Sequence, residues 1–334
     1  MASDSPALTV AVTGPTGTFG FGLMPLLEDD DRVAHVVGIA RRPFDPHAYG
    51  WTKMGYRRGD VRDADGLAAA FEGADVVVHL AFLIVGGPRQ VTRAVNVEGT
   101  LNALRAAAAA GVDRFVYSSS VAAYGFHRDN PVGMREDWPT READRLFYAQ
   151  EKAELEQLIA EEAEQHPELA LYLLRPHIVV GPHAVGGKVP LPKAVAGIGR
   201  GLARGFSRLP VRVPALVPDL PLQLVHEDDV GSALHACVVG DGPPGAYNIA
   251  GDGDLSTLDV ARELGFAPIP VPARPTYAAA RALAHLPLLP SMVQWVEAAS
   301  HPALMDTSKA KAELGWSPRY SSLEALRSML ASGS

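Results

Sequence analysis

Short apolar runs alternate with amphipathic stretches through the first half of the chain. The runs are four to eight residues long and rich in Val and Ile, which is typical of strands covered on both faces of a parallel sheet. The predicted strands are Leu8–Thr13, Arg32–Ile39, Met54–Arg58, Val76–Ala81, Arg114–Tyr117 and Ala170–Leu174. Helical spacing of apolar residues predicts helices that begin after Gly20 and that cover residues 64–71, 90–110 and 141–165. Strict alternation of strand and helix predicts an α/β fold with a doubly wound parallel sheet.

The composition changes after the sixth predicted strand. From Val179 to Pro221 the chain is rich in Gly, Pro, Val and Leu, with intermittent helix. A strand at Leu222–Val225 and a helix from Asp228 then return to the domain that contains the sheet, and Ala246–Ile249 gives one more strand. We therefore expect a sheet domain over residues 1–178, with 222–250 returning to it. Residues 179–334 should form mainly a smaller, mostly helical C-terminal substrate-binding cap.

Three glycines spaced three apart join the first strand to the first helix. Gly14 can adopt backbone angles closed to other residues, Gly17 has no side chain to block a pyrophosphate, and Gly20 lets the helix pack close to the strand. The amides and positive end of the helix would then face the anion. The motif is weak alone, because glycines also cluster in ordinary turns. The residues expected to contact a dinucleotide here are Gly14, Thr16, Gly17, Thr18, Phe19 and Gly20.

The second predicted strand leads into Ala40, Arg41 and Arg42. In a Rossmann-type dinucleotide fold this strand end meets the adenosine ribose, where an acidic residue binds the 2′-hydroxyl and arginine accommodates a 2′-phosphate. Two arginines in place of an acid favour NADP(H) as the cofactor. NAD is the alternative, since such a pair is also compatible with a solvated loop.

Tyr148 and Lys152 are four residues apart on a predicted helix, so both project from one face. A nearby ammonium stabilises a phenolate, which would lower the pKa of the tyrosine and let it exchange a proton with an alcohol or carbonyl. Ser120 follows the fifth predicted strand and could hydrogen-bond the reacting oxygen. Such a Tyr–Lys pair alone is usually an ordinary helix surface. Its occurrence with the glycine turn and the serine run makes Ser120, Tyr148 and Lys152 the catalytic candidates.

Nearly the whole chain resembles the extended short-chain dehydrogenases/reductases, which include sugar-nucleotide epimerases and dehydratases. The matching segments are Thr13–Gly20, Gly59–Val61, Leu80–Ala81, Asn96–Thr100, Ser118–Gly125, Tyr148–Lys152, Arg175–Pro182, His226–Val230, Asp306–Ala310 and Leu314–Trp316.

The resemblance implies further cofactor contacts. Asp60 would reach the adenine amine, with Val61 next to it. Leu80 and Ala81 would lie beside the cofactor ribose, with Asn96 on the helix behind them. Pro176 would pass the nicotinamide. In that family the tyrosine donates or accepts the proton, and the lysine lowers its pKa and holds the nicotinamide ribose.

The departures from the family bear on the substrate. Ile178 stands where sugar-nucleotide members usually carry an asparagine, and Leu222 where they often carry an arginine. The segment from Val293 to Asp306 lacks a further arginine. Because a pyrophosphate is costly to desolvate without such partners, the expected substrate is an apolar ketone or aldehyde, or the corresponding alcohol. Four arginines of the cap could instead favour a pyrophosphate if their side chains turn inward. They are Arg200, Arg204, Arg208 and Arg212.

Two alternatives stay open: a nucleotide-sugar epimerase or dehydratase with the same chemistry, and a non-catalytic NAD(P)-sensing regulator. The intact Ser120, Tyr148 and Lys152 speak against the regulator.

Composition narrows the partners of the 334-residue chain. A net charge of −8 argues against nucleic acid. The histidines lack paired helical spacing and there is one cysteine, so neither a metal centre nor a disulfide framework is expected. Without a signal-peptide pattern or an apolar run long enough to span a bilayer, the expectation is a cytoplasmic protein with a small-molecule substrate and no membrane partner. A homodimer is an open alternative to a monomer.

Overall fold

The α/β architecture expected from the sequence is confirmed. The computed structural model describes residues 7–84, 88–184, 212–272, 301 and 303–332. Seven strands form one parallel sheet with helices on both faces. In chain order the strands of the described residues are β1 (Leu8–Thr13), β2 (Val33–Ala40), β3 (Met54–Arg58), β4 (Val76–His79), β5 (Arg114–Ser118), β6 (Ala170–Pro176), β7 (Ile178–Val180), β8 (Val213–Pro218), β9 (Pro221–Leu222), β10 (Leu224–His226), β11 (Gly245–Ile249), β12 (Leu255–Ser256) and β13 (Phe266–Val271).

Most helices of the described residues lie between strands along the chain, as the alternating pattern predicts, and the last two follow the final strand. They are α1 (Thr18–Asp29), α2 (Ala64–Phe71), α3 (Arg89–Arg93), α4 (Gly99–Ala109), α5 (Phe147–Ala163), α6 (Glu227–Val239), α7 (Thr257–Glu263), α8 (Ser308–Glu313) and α9 (Ser322–Ser332). A π-helical turn, Ala94–Glu98, joins α3 to α4. Short 3₁₀ turns cover Pro46–Tyr49 and Val121–Tyr124.

The sheet order is β11-β6-β5-β4-β1-β2-β3. Strand order therefore reverses between β1 and β4, and ligands of open α/β sheets bind at the carboxyl ends of the strands beside such a point. Thr13 ends β1 and His79 ends β4, and Oγ1 of Thr13 lies 2.9 Å from Nδ1 of His79. The other ring nitrogen of His79 lies 3.1 Å from Oγ1 of Thr100 on α4. This buried histidine links the ends of β1 and β4 at the point where the strand order reverses.

Side chains alternate between two cores, one on each face of the sheet. Val10 and Val12 of β1 face a core that includes apolar residues of α1 and α6. Ala11 faces the opposite core, formed with α2, α4 and α5. Two glycines, Gly22 on α1 and Gly231 on α6, allow the helices of the first core to touch, since a Cβ on Gly22 would lie 2.3 Å from the carbonyl oxygen of Glu227.

Several predicted boundaries are wrong. The strand expected at Leu222–Val225 is two short strands, β9 and β10, and β10 pairs with β7 outside the seven-stranded sheet. The strand expected to reach Ala81 ends at His79, and a loop follows. The helix expected from Arg141 begins only at Phe147. Residues 141–146 are instead tied to the preceding segment: the Arg141 guanidinium bonds Asp129, and its backbone N–H donates to the carbonyl of Ala123.

The described C-terminal part contains more strand than the mainly helical cap that was expected. β8 and β13 pair in parallel, and β9 and β12 pair in antiparallel fashion. Pro268 and Pro270 lie within β13, and proline disfavours a helix interior by removing a donor and clashing with the preceding turn. Ala310, Leu314 and Trp316, in and after α8, pack into the same core as α1 and α6, so part of the chain beyond residue 250 also covers the sheet.

Candidate active site

The glycine turn lies at the carboxyl end of β1, in the crevice beside β4. Gly14 has φ +73°, and a Cβ there would lie 2.9 Å from the backbone nitrogen of Ala81. A Cβ on Gly20 would lie 2.0 Å from the carbonyl oxygen of Pro15. Both glycines are thus required by the protein's own packing. The backbone angle of Gly14 is of the kind that the sequence predicted, whereas Gly20 packs against Pro15 of the turn and not against the strand.

Gly17 differs from the other two. It is exposed, its φ is −90°, and a Cβ there would meet only the carbonyl oxygen of Gly14, at 3.4 Å. The fold itself therefore tolerates a side chain at Gly17, and the space beside it faces outward. Gly17 is also the N-cap of α1, with no side chain capping that end and no acidic residue in its first turn. Such an N-terminus fits a pyrophosphate. Thr16 lies in the turn, and Thr18 and Phe19 are the first two residues of α1.

Arg41 and Arg42 follow β2 as exposed side chains. Their backbone is fixed from the neighbouring strand, because the Tyr56 hydroxyl donates to the Arg42 carbonyl and Nε of Arg58 donates to the Arg41 carbonyl at 3.0 Å. Arg58 is also exposed. Three arginines thus gather around the ends of β2 and β3.

Asp60 lies next to this basic group, and its carboxylate is held by Arg62 through a bond of 2.7 Å from Nη2. That guanidinium, with a smaller contribution from the charge of Arg41, keeps the pKa of Asp60 below its usual value. Val61 is buried in the core below α4, where it packs against Gly99.

The loop after β4 is held from behind by Asn96. Oδ1 of Asn96 accepts from the backbone N–H of Leu83 at 2.8 Å, and Nδ2 donates to the carbonyl of the same residue at 3.0 Å. Nδ2 also donates to Oε2 of Glu151 at 2.9 Å. Asn96 is fully buried. It therefore acts on the Leu80–Ala81 segment through the loop backbone.

Ser120 and Tyr148 come together as the sequence predicts. Ser120 is the N-cap of the 3₁₀ turn after β5, and its hydroxyl accepts from the backbone N–H of Ala122 at 3.2 Å. Its side chain also hydrogen-bonds that of Tyr148. The pair places two hydroxyl groups at the carboxyl edge of the sheet.

The expected lowering of the Tyr148 pKa by Lys152 is not what the structure gives. Burial raises the pKa of Tyr148, and the hydrogen bond with Ser120 lowers it in part. The ammonium of Lys152 instead donates to Oη of Tyr117 and to the carbonyl of Ser118, each at 2.9 Å. The physical reason is the near-complete burial of Lys152, which leads its charge to pair with the polar groups at the end of β5.

Burial also lowers the pKa of Lys152 to about 7, against the raising effect of the Glu156 and Glu151 carboxylates. Sequence reasoning missed both glutamates. Glu156 lies one helical turn after Lys152, which is the spacing that could have revealed it. Glu151 is buried beside Lys152, and its Oε1 has no hydrogen-bond partner among the described residues.

A buried ion pair joins β6 to α5 below this site. Nη2 of Arg175 lies 2.6 Å from Oε2 of Glu156, and the Ser119 hydroxyl donates to Oε1 of the same carboxylate. Nη1 of Arg175 donates to Oη of Tyr124, which in turn donates to Oδ1 of Asn248. The network fixes the serine run relative to the helix that carries Tyr148.

On the expected substrate side, Pro176 ends β6 and is buried. His177 bonds the Ala303 carbonyl through Nε2 at 2.8 Å, and burial lowers its pKa to about 4, so it is a structural residue here. Ile178 is 47% exposed. Leu222 lines a cavity of about 410 Å³ together with Gln223, Leu304 and three aspartates, Asp219, Asp254 and Asp259.

The arginines that could face the substrate are only partly described. Arg212 is exposed, and its charge acts on the carboxylate of Glu263. Arg200, Arg204 and Arg208, with most of the expected cap between Val189 and Leu224, lie outside the described residues.

His183 is a further residue near the glycine turn. Its ring stacks on Phe21 with centroids 4.3 Å apart, its Nδ1 lies 2.7 Å from Oε1 of Glu227, and its carbonyl accepts from the Thr18 hydroxyl at 3.0 Å. The segment after β7 thus contacts the start of α1.

A doubly wound sheet, a glycine turn opening α1, and a Ser–Tyr–Lys group at the same sheet edge define a dinucleotide-dependent enzyme of the extended short-chain dehydrogenase/reductase class. Sequence comparison agrees with this class: the profile of the NAD-dependent epimerase/dehydratase family matches residues 10–250. The chain belongs to that family.

One protein is similar in sequence over nearly the whole chain, and two solved structures are similar in fold. The uncharacterised protein y4nG of Sinorhizobium fredii is 28% identical over 337 aligned positions, covering 95% of this chain and 76% of that one. The crystal structure of gox2253 is similar with a TM-score of 0.72 and 24% identity, covering 97% of each chain. MoeE5 in complex with UDP-glucuronic acid and NAD is similar with a TM-score of 0.69 and 23% identity, covering 97% of this chain and 98% of MoeE5.

The described residues contain neither a candidate membrane-spanning helix nor a candidate metal-binding cluster. No helix there is both long and apolar enough to cross a membrane. No group of three or more His, Cys, Asp or Glu side chains there is placed to hold a metal ion.

Proposed function

We propose that this enzyme transfers a hydride between NADP(H) and the carbonyl or alcohol carbon of a largely apolar small molecule, as a ketone or aldehyde reductase. The observation that carries the proposal is the hydrogen bond between Ser120 and Tyr148 at the carboxyl edge of the sheet. Two hydroxyl groups held together there can bind one substrate oxygen from two sides. The nicotinamide, when bound, supplies or accepts the hydride.

Tyr148 is the proton donor in the direction of reduction. Since burial raises its pKa, the phenol is protonated at neutral pH and can give its proton to the oxygen of a carbonyl as that oxygen gains charge. Ser120 holds the same oxygen by a hydrogen bond and orients it toward Tyr148. Lys152 holds the end of β5 by donating to the carbonyl of Ser118.

The glycine turn and the start of α1 would hold the pyrophosphate, with Gly17 allowing the close approach. Arg41 and Arg42 would bind the 2′-phosphate of NADP(H), since arginine forms charge-assisted bonds to phosphate oxygens. The exposed Arg58 adds to the positive charge at that place. These contacts support NADP(H) over NAD.

The preference for an apolar substrate is supported by the side chains at the diphosphate positions. Ile178 and Leu222 offer neither charge nor hydrogen bonds. The cavity that Leu222 lines contains carboxylates and no cationic side chain among its described residues. A diphosphate would meet like charge there, which costs free energy.

A nucleotide-sugar epimerase or dehydratase is the second candidate, and the comparisons favour it. The structure of MoeE5 is a complex with UDP-glucuronic acid and NAD, and the family is named for epimerases and dehydratases. The same Ser–Tyr–Lys group would serve both functions, so the substrate decides between them.

A substrate panel tests the proposal. Aromatic and aliphatic ketones and aldehydes are assayed with NADPH and NADH, and UDP- and dTDP-sugars are assayed for epimerisation or dehydration with NAD. Turnover of ketones or aldehydes without turnover of nucleotide sugars supports the reductase. The reverse result assigns the second candidate. Dinucleotide binding without turnover of either group would indicate a cofactor-sensing regulator.

A further inference from the structure

Phe82 contacts both side chains of the Tyr148–Lys152 pair. The centroid of its ring lies 3.7 Å from Nζ of Lys152. The same ring meets that of Tyr148 edge-on, with centroids 5.7 Å apart and 87° between the planes. A cation this close to an aromatic ring is attracted by the ring quadrupole, and more strongly where water is excluded. An aliphatic side chain would fill the space without that attraction.

The surroundings of the Lys152 ammonium indicate what the ring of Phe82 contributes. An ammonium has three hydrogens. Two hydrogen bonds from Lys152 go to the hydroxyl of Tyr117 and to the carbonyl of Ser118. Only 2% of Lys152 is exposed, so solvent does little for the remaining side. The ring of Phe82 is within contact distance of Nζ and stabilises the charge there.

The loop that carries Phe82 is anchored to the same helix as Lys152. Asn96 binds both backbone groups of Leu83, the next residue, and is held in turn by the carboxylate of Glu151. Asn96 lies in the π-helical turn between α3 and α4, and such turns are frequent at functional sites. Glu151 directly precedes Lys152, so one chain of contacts fixes the distance between ring and ammonium.

The ionisable groups around Lys152 make its charge sensitive to one lost contact. Against the effect of burial, the carboxylates of Glu156 and Glu151 on α5 raise the pKa of Lys152. Its ammonium donates to the hydroxyl of Tyr117 on β5, and its charge adds to the effect of burial in lowering the pKa of His79 on β4. Because the carboxylates offset only part of the effect of burial on the pKa of Lys152, loss of one more stabilising contact should lower that pKa further.

We propose that Phe82 is a positioning residue that keeps Lys152 charged and fixed beside Tyr148, and that its ring forms the wall of the reaction site on the side of the loop after β4. The link to catalysis rests on the proposed function, which assigns Tyr148 and Lys152 to the chemistry. The contact between ring and ammonium does not depend on that assignment.

An NMR titration of the lysine side chains tests the contact in the full chain without substrate or cofactor. The Lys152 signal is assigned by its loss in Lys152→Met. Phe82→Leu should lower the titration midpoint of Lys152 by about one pH unit, as loss of a desolvated cation–π contact implies. Phe82→Tyr, which keeps an aromatic ring, should leave the midpoint close to that of the unaltered protein. Phe147→Leu is the matched control, because Phe147 receives the guanidinium of Arg89 at 4.2 Å and should leave the midpoint unchanged.

Trifluorophenylalanine placed at position 82 keeps the ring shape but makes the ring face less attractive to a cation. It therefore separates loss of the cation–π contact from any repacking that the Leu substitution causes. A lower midpoint in this protein supports the proposal. A midpoint that Phe82→Leu and the fluorinated ring both leave unchanged or raise would overturn it.

Cofactor affinity gives a second readout. In Phe82→Leu, NADPH should bind about tenfold more weakly than in the unaltered protein at pH 8, because a midpoint one unit lower leaves about a tenth as much of Lys152 charged there. The difference should shrink to about twofold at pH 6. Equal weakening at both pH values would indicate a merely structural role and contradict the proposal. If the unaltered protein binds neither dinucleotide, the proposed function fails, while the lysine titration still decides the role of Phe82.

Discussion

Nη2 of Arg175 lies 2.6 Å from Oε2 of Glu156, and both side chains are almost fully excluded from solvent. The pair joins β6 to α5 one helical turn beyond Lys152. Removing one partner of a buried pair leaves an uncompensated charge, which typically costs about 3–5 kcal/mol. We expect Glu156→Gln to reduce the free energy of unfolding by that amount in urea titration.

The exposed pair between Arg105 and Glu162 is the control, because Glu162 lies on the same helix. Arg105→Gln should cost less than about 1 kcal/mol. Similar losses in the two variants would contradict a special role for the buried pair.

Gly17 and Gly20 should respond differently to alanine. A Cβ on Gly20 would lie 2.0 Å from a backbone oxygen, whereas one on Gly17 has room within the protein. We expect Gly20→Ala to lower the melting temperature strongly. Gly17→Ala should melt normally and bind NADPH at least about tenfold more weakly, a loss of about 1.4 kcal/mol, because its methyl group enters the space for the pyrophosphate.

Calorimetry and a fluorescence titration of NADPH on the two proteins check this. Normal cofactor affinity in Gly17→Ala would remove the glycine turn as the pyrophosphate site.

Tyr148→Phe should abolish turnover and leave NADPH affinity within a few-fold. The variant removes only the hydroxyl that transfers the proton, and positioned acids and bases contribute roughly a hundred- to ten-thousand-fold in rate. Steady-state kinetics on the substrate found in the panel, paired with cofactor titration, measure both quantities. Activity within a few-fold of the unaltered enzyme would take Tyr148 out of the mechanism.

Replacing both Arg41 and Arg42 with alanine should erase a preference for NADPH over NADH. One charge-assisted bond to the 2′-phosphate is worth about 1.5–3 kcal/mol. Arg57→Ala is the matched control, because Nη1 of Arg57 donates to the Ala69 carbonyl on α2 and not toward the end of β2. Equal affinities for the two dinucleotides in the unaltered protein would instead favour NAD.

The pH dependence of stability should reveal the buried Lys152. The pKa of Lys152 is about 7 in the folded protein, and its ordinary value is 10.5. At pH values between these two, the unfolded chain therefore binds more protons than the folded protein. Stability attributable to this residue therefore rises with pH from about 7 to 10.5. At pH 6 the protein bears the full cost of burying the charge, about 5 kcal/mol by this difference.

Lys152→Met removes the titrating group at similar volume. We expect it to unfold at higher urea concentration than the unaltered protein at pH 6, with the difference shrinking toward pH 10. A difference independent of pH would show that Lys152 keeps its ordinary pKa in the fold.

The sequence by itself determined the architecture. Period-two and period-3.6 patterns are local consequences of backbone geometry, so the strands, helices and glycine turn could be predicted at nearly their observed positions. Spacing along one helix also placed Tyr148 and Lys152 on one face, and the serine run at a strand end brought Ser120 to the same edge.

Only the tertiary structure decided which groups surround those side chains. Lys152 turns to Tyr117, Ser118 and Phe82, and the pKa of Tyr148 rises instead of falling, because burial and partners from distant strands set the charge balance. The Arg175–Glu156 pair and the Asn96–Glu151 contact join residues 19 and 55 positions apart. No local pattern specifies such contacts, since they exist only once the sheet has brought its carboxyl ends together.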